Sequence, residues 1–170
     1  MTAYLAKSTN SLSFDITKDD TLIGKLTYQS WFKFNADVEM ANGSNYQVGP
    51  KGFWGTTIEC KNGEKVLIKF KMNWNGAIVI QTFFNDNEIG YVFKHRGIFN
   101  DSFILTDKDG TELLVMKPHL KWFKSNYEYQ VTTSGSFGII PQKELLVMIS
   151  IHCANYYMAM MMAAVPGAGI

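Results

Sequence analysis

Three histidines, two cysteines and a single arginine limit the chemistry open to this sequence. Lys94-His95-Arg96 groups three nitrogen-bearing side chains just after the strand-like run Ile89 to Phe93. At a strand end such a cluster suits a phosphate or an acidic partner, bound through charge-assisted hydrogen bonds. Lys117, His119, Lys121 and Lys124 form a second basic group, interleaved with Trp122 and Phe123. Lysines beside aromatic rings suit a membrane surface or single-stranded nucleic acid. The plainer alternative for both groups is a solvated turn, with lysine stems lying over core aromatics. These seven basic residues are the candidate ligand-binding set.

Catalytic constellations are missing from the text. It contains no GxSxG, HExxH, P-loop or strand-following GxGxxG. His95, His119 and His152 do not recur at metal-ligand spacing, and His152 falls in an apolar run where a hydrogen-bonded core residue is expected. Asp19, Asp20, Asp86, Asp101, Asp107 and Asp109 occupy turn-like contexts, as turn chemistry alone requires. Neither a metal nor a cofactor is expected, and a non-enzyme is favoured. A small hydrolase with its site at the rim of the fold is one alternative.

The elements that would position these groups are bounded first by composition. The 170 residues carry 46% apolar, 18% charged and 14% aromatic side chains, with sixteen basic residues against fifteen acidic ones. One well-buried domain is expected, and a net charge of +1 provides no global field for nucleic acid. A monomer is expected. Cys60 and Cys153 match no CxxC spacing, and the N-terminal stretch lacks the apolar core of a signal peptide. Free, buried thiols and a cytoplasmic location follow, with membrane contact at most peripheral.

From Ser11 to Thr133 the sequence reads as short strands separated by turns. Asn62-Gly63 divides TTIEC from KVLIKF, and Asp109-Gly110 divides SFILT from ELLVMK. Asn42-Gly43, Asn75-Gly76, Asp86-Asn87 and Lys18-Asp19-Asp20 supply further turn signals. Alternation at Ile78, Ile80, Thr82 and at Val66, Ile68, Phe70 gives the sheet one apolar face. Gly52-Phe53-Trp54-Gly55 reads as a bent corner packed by its rings, or else as an exposed aromatic lip.

Leu145 to Val165 contains no charged residue, follows Pro141 and Glu144, and ends at Pro166-Gly167. Those flanks mark a helix, and no polar face interrupts it. Lipid or protein must therefore surround it. His152 and Asn155 near its middle, abundant methionine and the lack of a following Lys or Arg favour burial in protein. The alternative is a tail-anchored membrane protein with residues 145–165 as the span. Wrapping the sheet around the helix removes the strand edges and covers the helix together. The expected fold is thus mainly β, a closed antiparallel barrel of roughly twelve strands around a central hydrophobic C-terminal helix at about 143–165.

The unit DKDGTELLVMKP (Asp107 to Pro118), the ending PQKELLVMISIHCANYY and this layout resemble the tubby C-terminal-like superfamily. That superfamily includes tubby, the phospholipid scramblases and the LURP-one-related proteins. The resemblance implies a non-catalytic binding module, with anionic phospholipid headgroups or a protein as partner. Tubby itself binds phosphoinositides through basic side chains.

Overall fold

The computed structural model describes residues 1–30, 34–52, 56–97, 101–121 and 126–163, with backbone alone at 120, 121, 126 and 162. Twelve strands precede one α-helix. They are β1 (Thr2–Asn10), β2 (Ser13–Lys18), β3 (Thr21–Tyr28), β4 (Ala36–Met40), β5 (Asn45–Pro50) and β6 (Thr57–Asn62). There follow β7 (Lys65–Met72), β8 (Ile78–Phe84), β9 (Asn87–Arg96), β10 (Ser102–Asp107), β11 (Glu112–Lys121) and β12 (Asn126–Thr133). A short 3₁₀ turn over Ser136–Ile139 then leads into α1 (Lys143–Ala163).

Each strand pairs antiparallel with its successor, and β12 returns to β1, so the sheet closes on itself. The closing register runs from Thr2 opposite Thr133 to Lys7 opposite Glu128. Closure pairs the backbone groups that an open sheet would leave at its edges. β1 lies before the expected start of the strands at Ser11. Its inward residues, Tyr4, Ala6 and Ser8, are too mixed in size and polarity to announce a strand, and pairing on both sides fixes it.

The expected turns do adopt the backbone that tight hairpins need. Asp19 and Asp20 have φ of 47° and 60°. The turn expected at Asp86-Asn87 falls one residue earlier, at Asn85 and Asp86 with φ of 52° and 59°, because Asn87 already pairs as the first residue of β9. Positive φ at both central residues matches the right-handed twist of the flanking strands. Gly63 and Gly110 serve the hairpins between β6 and β7 and between β10 and β11, at φ 57° and 85°.

Strand alternation then sorts the side chains. Phe14, Ile16, Leu26, Val38, Phe70, Ile80, Phe93, Phe103, Leu114 and Val131 are buried and belong to one apolar core with α1. Every residue from Leu145 to Asn155 is buried. A helix without a polar stripe is therefore accounted for, because the wall encloses it on all sides. That burial overturns the alternative of a tail anchor spanning 145–165: its first half is already covered by protein. Among the described residues no helix is long and apolar enough to cross a membrane.

Two close approaches fix how the helix sits. A Cβ on Gly24 of β3 would come within 2.8 Å of the Glu39 carbonyl oxygen and 2.9 Å of Met148 Cε. A Cβ on Gly76 would lie 3.3 Å from Tyr157 Cε2. α1 thus enters beside the start of β3 and leaves beside the connection from β7 to β8.

Candidate functional site

Because every strand reverses direction, the connections alternate between the two ends of the barrel. The five hairpins at the end where α1 enters carry Asp19, Asp20, Glu64, Asp86 and Asp109, with Lys108 as their only base. They contain no aromatic residue. The connections at the opposite end carry all four tryptophans, Trp31, Trp54, Trp74 and Trp122, together with Lys33, Lys51 and Lys124. Their only acid is Asp101. Trp31, Lys33, Phe53, Trp54, Trp122, Phe123 and Lys124 lie outside the described residues, and with them the expected corner at Phe53-Trp54 and one of the seven candidates.

The end from which α1 emerges is plugged by rings. Phe34 meets Tyr156 edge to face at 4.5 Å between centroids, and Tyr157 packs edge to face on Phe103 at 5.5 Å. His95 stacks on Tyr157 at 5.4 Å and 17° between planes. Its Nε2 contacts the Asp101 carboxylate. Offset and edge-on ring pairs of this kind add to simple area burial. The consequence is chemical: the mouth of the barrel is filled by side chains of the helix itself.

Strand alternation divides the candidate set. His95 follows Tyr91 and Phe93 on the inner side of β9, whereas Lys94 and Arg96 face outward. Lys117 and His119 face outward from β11, separated from β9 by β10 alone. Lys94, Arg96, Lys117 and His119 therefore share one stretch of outer wall. The backbone of Lys121 prolongs it, although that side chain is not described.

Acidic residues share this wall. The Arg96 guanidinium forms an ion pair with Glu112, and His119 lies opposite Glu128 in the β11–β12 register. Lys94 and Lys117 are exposed and have no ion-pair partner among the described residues. Among the described side chains of the set, these two are placed to meet an external anion. The sole arginine is already occupied, and exposed pairs of this type contribute little stability.

Elsewhere on the wall, Glu59 is buried between Lys61 at 3.1 Å and Lys51 at 3.7 Å. One shallow depression is lined by Asp37, Glu39, Tyr46 and Lys61, and another by Lys65, Lys69, Asp86 and Glu88. Neither has a serine, threonine, cysteine or histidine among its lining residues. Among the described residues no group of three His, Cys, Asp or Glu is placed to hold a metal ion.

Inside the barrel the helix carries two polar side chains with different fates. Asn155 Nδ2 donates to the Tyr28 hydroxyl at 2.9 Å, and Tyr129 donates to Asn155 Oδ1 at 2.7 Å. Burial raises the pKa of both phenols, leaving them neutral donors and acceptors. Asn155 thus bonds side-chain hydroxyls of the wall on both sides of its amide. His152 differs from the hydrogen-bonded core residue that was expected. Its ring stacks on Tyr28 at 5.3 Å and meets Phe70 edge to face, and neither nitrogen has a hydrogen-bond partner among the described residues. The wall around it offers rings where acceptors would be needed. Burial lowers its pKa to about 3, so it stays uncharged.

Cys60 and Cys153 are free and buried, as expected, with burial pushing the Cys60 thiol up to about 12. Such thiols pack as small hydrophobes rather than as nucleophiles. What the reading of motifs missed is the aromatic end. Trp74 is fully exposed, and Met160 and Met161 are 39% and 41% exposed where α1 leaves the barrel. The available signal was positional: every tryptophan follows an odd-numbered strand.

No protein-family model matches the chain, and comparison with curated proteins gives no match. Among solved structures, the chain is similar to the X-ray structure of a protein from Arabidopsis thaliana. The likeness has a TM-score of 0.54 at 11% identity and covers 91% of each chain. At that identity the likeness shows a shared fold and nothing of activity.

Proposed function

We propose that this protein is a non-catalytic binding module of the tubby-like kind, whose partner is an anionic phospholipid surface. The observation that carries the reading is the outer wall over β9–β11. There Lys94 and Lys117 stand exposed without an ion-pair partner among the described residues, beside the end of the barrel that bears the aromatic connections. Exposed lysines near a surface attract anionic headgroups by about 1 kcal/mol each, an effect that salt screens. The plugged barrel supports an external rather than an internal ligand. A peripheral module in the cytoplasm is the setting in which such a surface would be met.

Sedimentation with vesicles tests the proposal. Binding is expected to phosphatidylcholine–phosphatidylserine vesicles, to weaken as salt rises, and to fall about thirtyfold at low salt in Lys94→Ala/Lys117→Ala without loss of thermal stability. Failure to bind any vesicle, together with co-purification of a stoichiometric protein, would replace lipid by a protein partner.

A further inference from the structure

We infer that the barrel docks end-on, with the end carrying Trp74 and the last turn of α1 entering the interfacial layer of a phospholipid bilayer. The inference rests on the lipid reading above and specifies which face meets the membrane and by what chemistry.

Trp74 is fully exposed and firmly braced. The Asn73 amide donates to the Ala77 carbonyl at 2.7 Å, the Gly76 amide donates to the Asn73 carbonyl at 3.0 Å, and the Ala77 amide donates to Asn75 Oδ1 at 3.1 Å. Gly76, at φ 79°, packs against Tyr157 of the helix. A large indole held outward on a short hydrogen-bonded turn loses little conformational freedom when it binds. Beside it, Met160 and Met161 expose flexible apolar side chains, and no charged residue occurs after Glu144. An apolar surface of this kind on a soluble fold marks an interaction site.

The occupant follows from composition and charge. Tryptophan prefers the headgroup level of a bilayer, where an apolar ring and a polar N–H are both accommodated. All four tryptophans belong to connections at this end. Lysine outnumbers acid there, whereas the hairpins of the opposite end are strongly acidic. In front of an anionic surface that asymmetry turns the aromatic end toward the lipid and the acidic end away. One outward indole and flexible methionines at the same end suit a flat, adaptable surface. A protein ligand would instead call for a groove or a single concentrated patch.

A fluorophore that reports polarity decides the matter. Met161→Cys and, separately, Glu64→Cys would be labelled with an NBD maleimide; buried Cys60 and Cys153 do not compete. With phosphatidylcholine–phosphatidylserine vesicles, the label at 161 should shift to the blue and be quenched by brominated acyl chains. The label at 64, in an exposed hairpin of the opposite end, should do neither. Trp74→Ala should lower vesicle partitioning about tenfold at high salt, where headgroup attraction is screened, and Trp74→Phe should restore part of it. If protein sediments with vesicles while the label at 161 stays unchanged, or if both labels respond alike, end-on docking is wrong and the lipid reading survives. If no vesicle binds, the lipid reading itself fails, and the docking geometry with it.

Discussion

Asn155 of the central helix holds Tyr28 of β3 by a 2.9 Å hydrogen bond between residues 127 positions apart. The same amide accepts from Tyr129 of β12, so one helical side chain ties strands from both ends of the sequence to the core. Each group in the trio is buried, and the amide and phenols satisfy one another in a place water does not reach. The network fixes the rotation of α1 within the barrel, which a uniformly apolar helix would leave poorly specified.

Asn155→Ala should therefore destabilise the protein by about 3 kcal/mol, because two buried hydroxyls lose their partner. Adding Tyr129→Phe should recover part of that loss, as one stranded hydroxyl is removed. Chemical denaturation of the two variants and the wild type measures the coupling. A loss under 0.5 kcal/mol for the single variant would dismiss the network as a stabilising element.

His152 makes stability depend on pH. The folded protein holds its pKa at about 3, while the unfolded chain titrates near 6.5. Above pH 6.5 the residue is neutral in both states and contributes no pH dependence. As pH falls below 6.5, the unfolded chain takes up a proton that the folded chain refuses, and stability declines by about 1.4 kcal/mol per pH unit. The decline ends near pH 3, where the folded state is protonated as well. His152→Leu removes two unpartnered nitrogens and should flatten this acid limb at no cost near neutral pH. Thermal melts from pH 4 to 7 check both statements, and an unchanged slope in the variant would assign the acid limb to carboxylates.

Gly24 marks where the wall and the helix come closest, beside an irregularity in the β2–β3 register between Ile16 and Thr17. Gly24→Ala should cost about 2 kcal/mol, since the new methyl meets a backbone carbonyl as well as Met148. Met148→Ala in the same chain should fail to rescue it: the methionine tip can move but the Glu39 carbonyl cannot. Recovery in the double variant would place the strain on the helix side.

A chain ending at Gln142 lacks α1 and should not fold. The inward rings of the wall, among them Phe14, Phe70 and Phe103, pack against helix residues that would be gone. Expression of both lengths without detergent should give a soluble full-length protein and an aggregated shorter one. A soluble truncated protein with a cooperative melt would mean that the barrel can fill its own interior.

Much of this architecture was legible from particular residues. Asp19-Asp20, Asn62-Gly63 and Asp109-Gly110 announced hairpins because few other residues accept positive φ, and that preference is local. The run from Leu145 announced a helix without a polar face, and only enclosure by apolar surroundings reconciles such a helix with folding. β1 was not legible, because it is specified by pairing with β12 across the whole chain. The split of Lys94-His95-Arg96 between two faces was implied by strand alternation, but which face turned inward depended on Tyr91 and Phe93 joining the core.

The sequence by itself thus determined the strand and turn pattern and the central helix. These depend on backbone preferences and periodicity within a few residues. Only the tertiary structure decided that Arg96 is paired with Glu112, that His152 lacks a hydrogen-bond partner among the described residues, and that Tyr156 and Tyr157 of the helix pack against Phe34 and His95 where it emerges. It also gathered the tryptophan-bearing connections at one end and the acidic hairpins at the other. Those facts depend on closure, which brings distant residues together and assigns alternate connections to opposite ends. Local propensity carries no information about a partner that lies a hundred residues away.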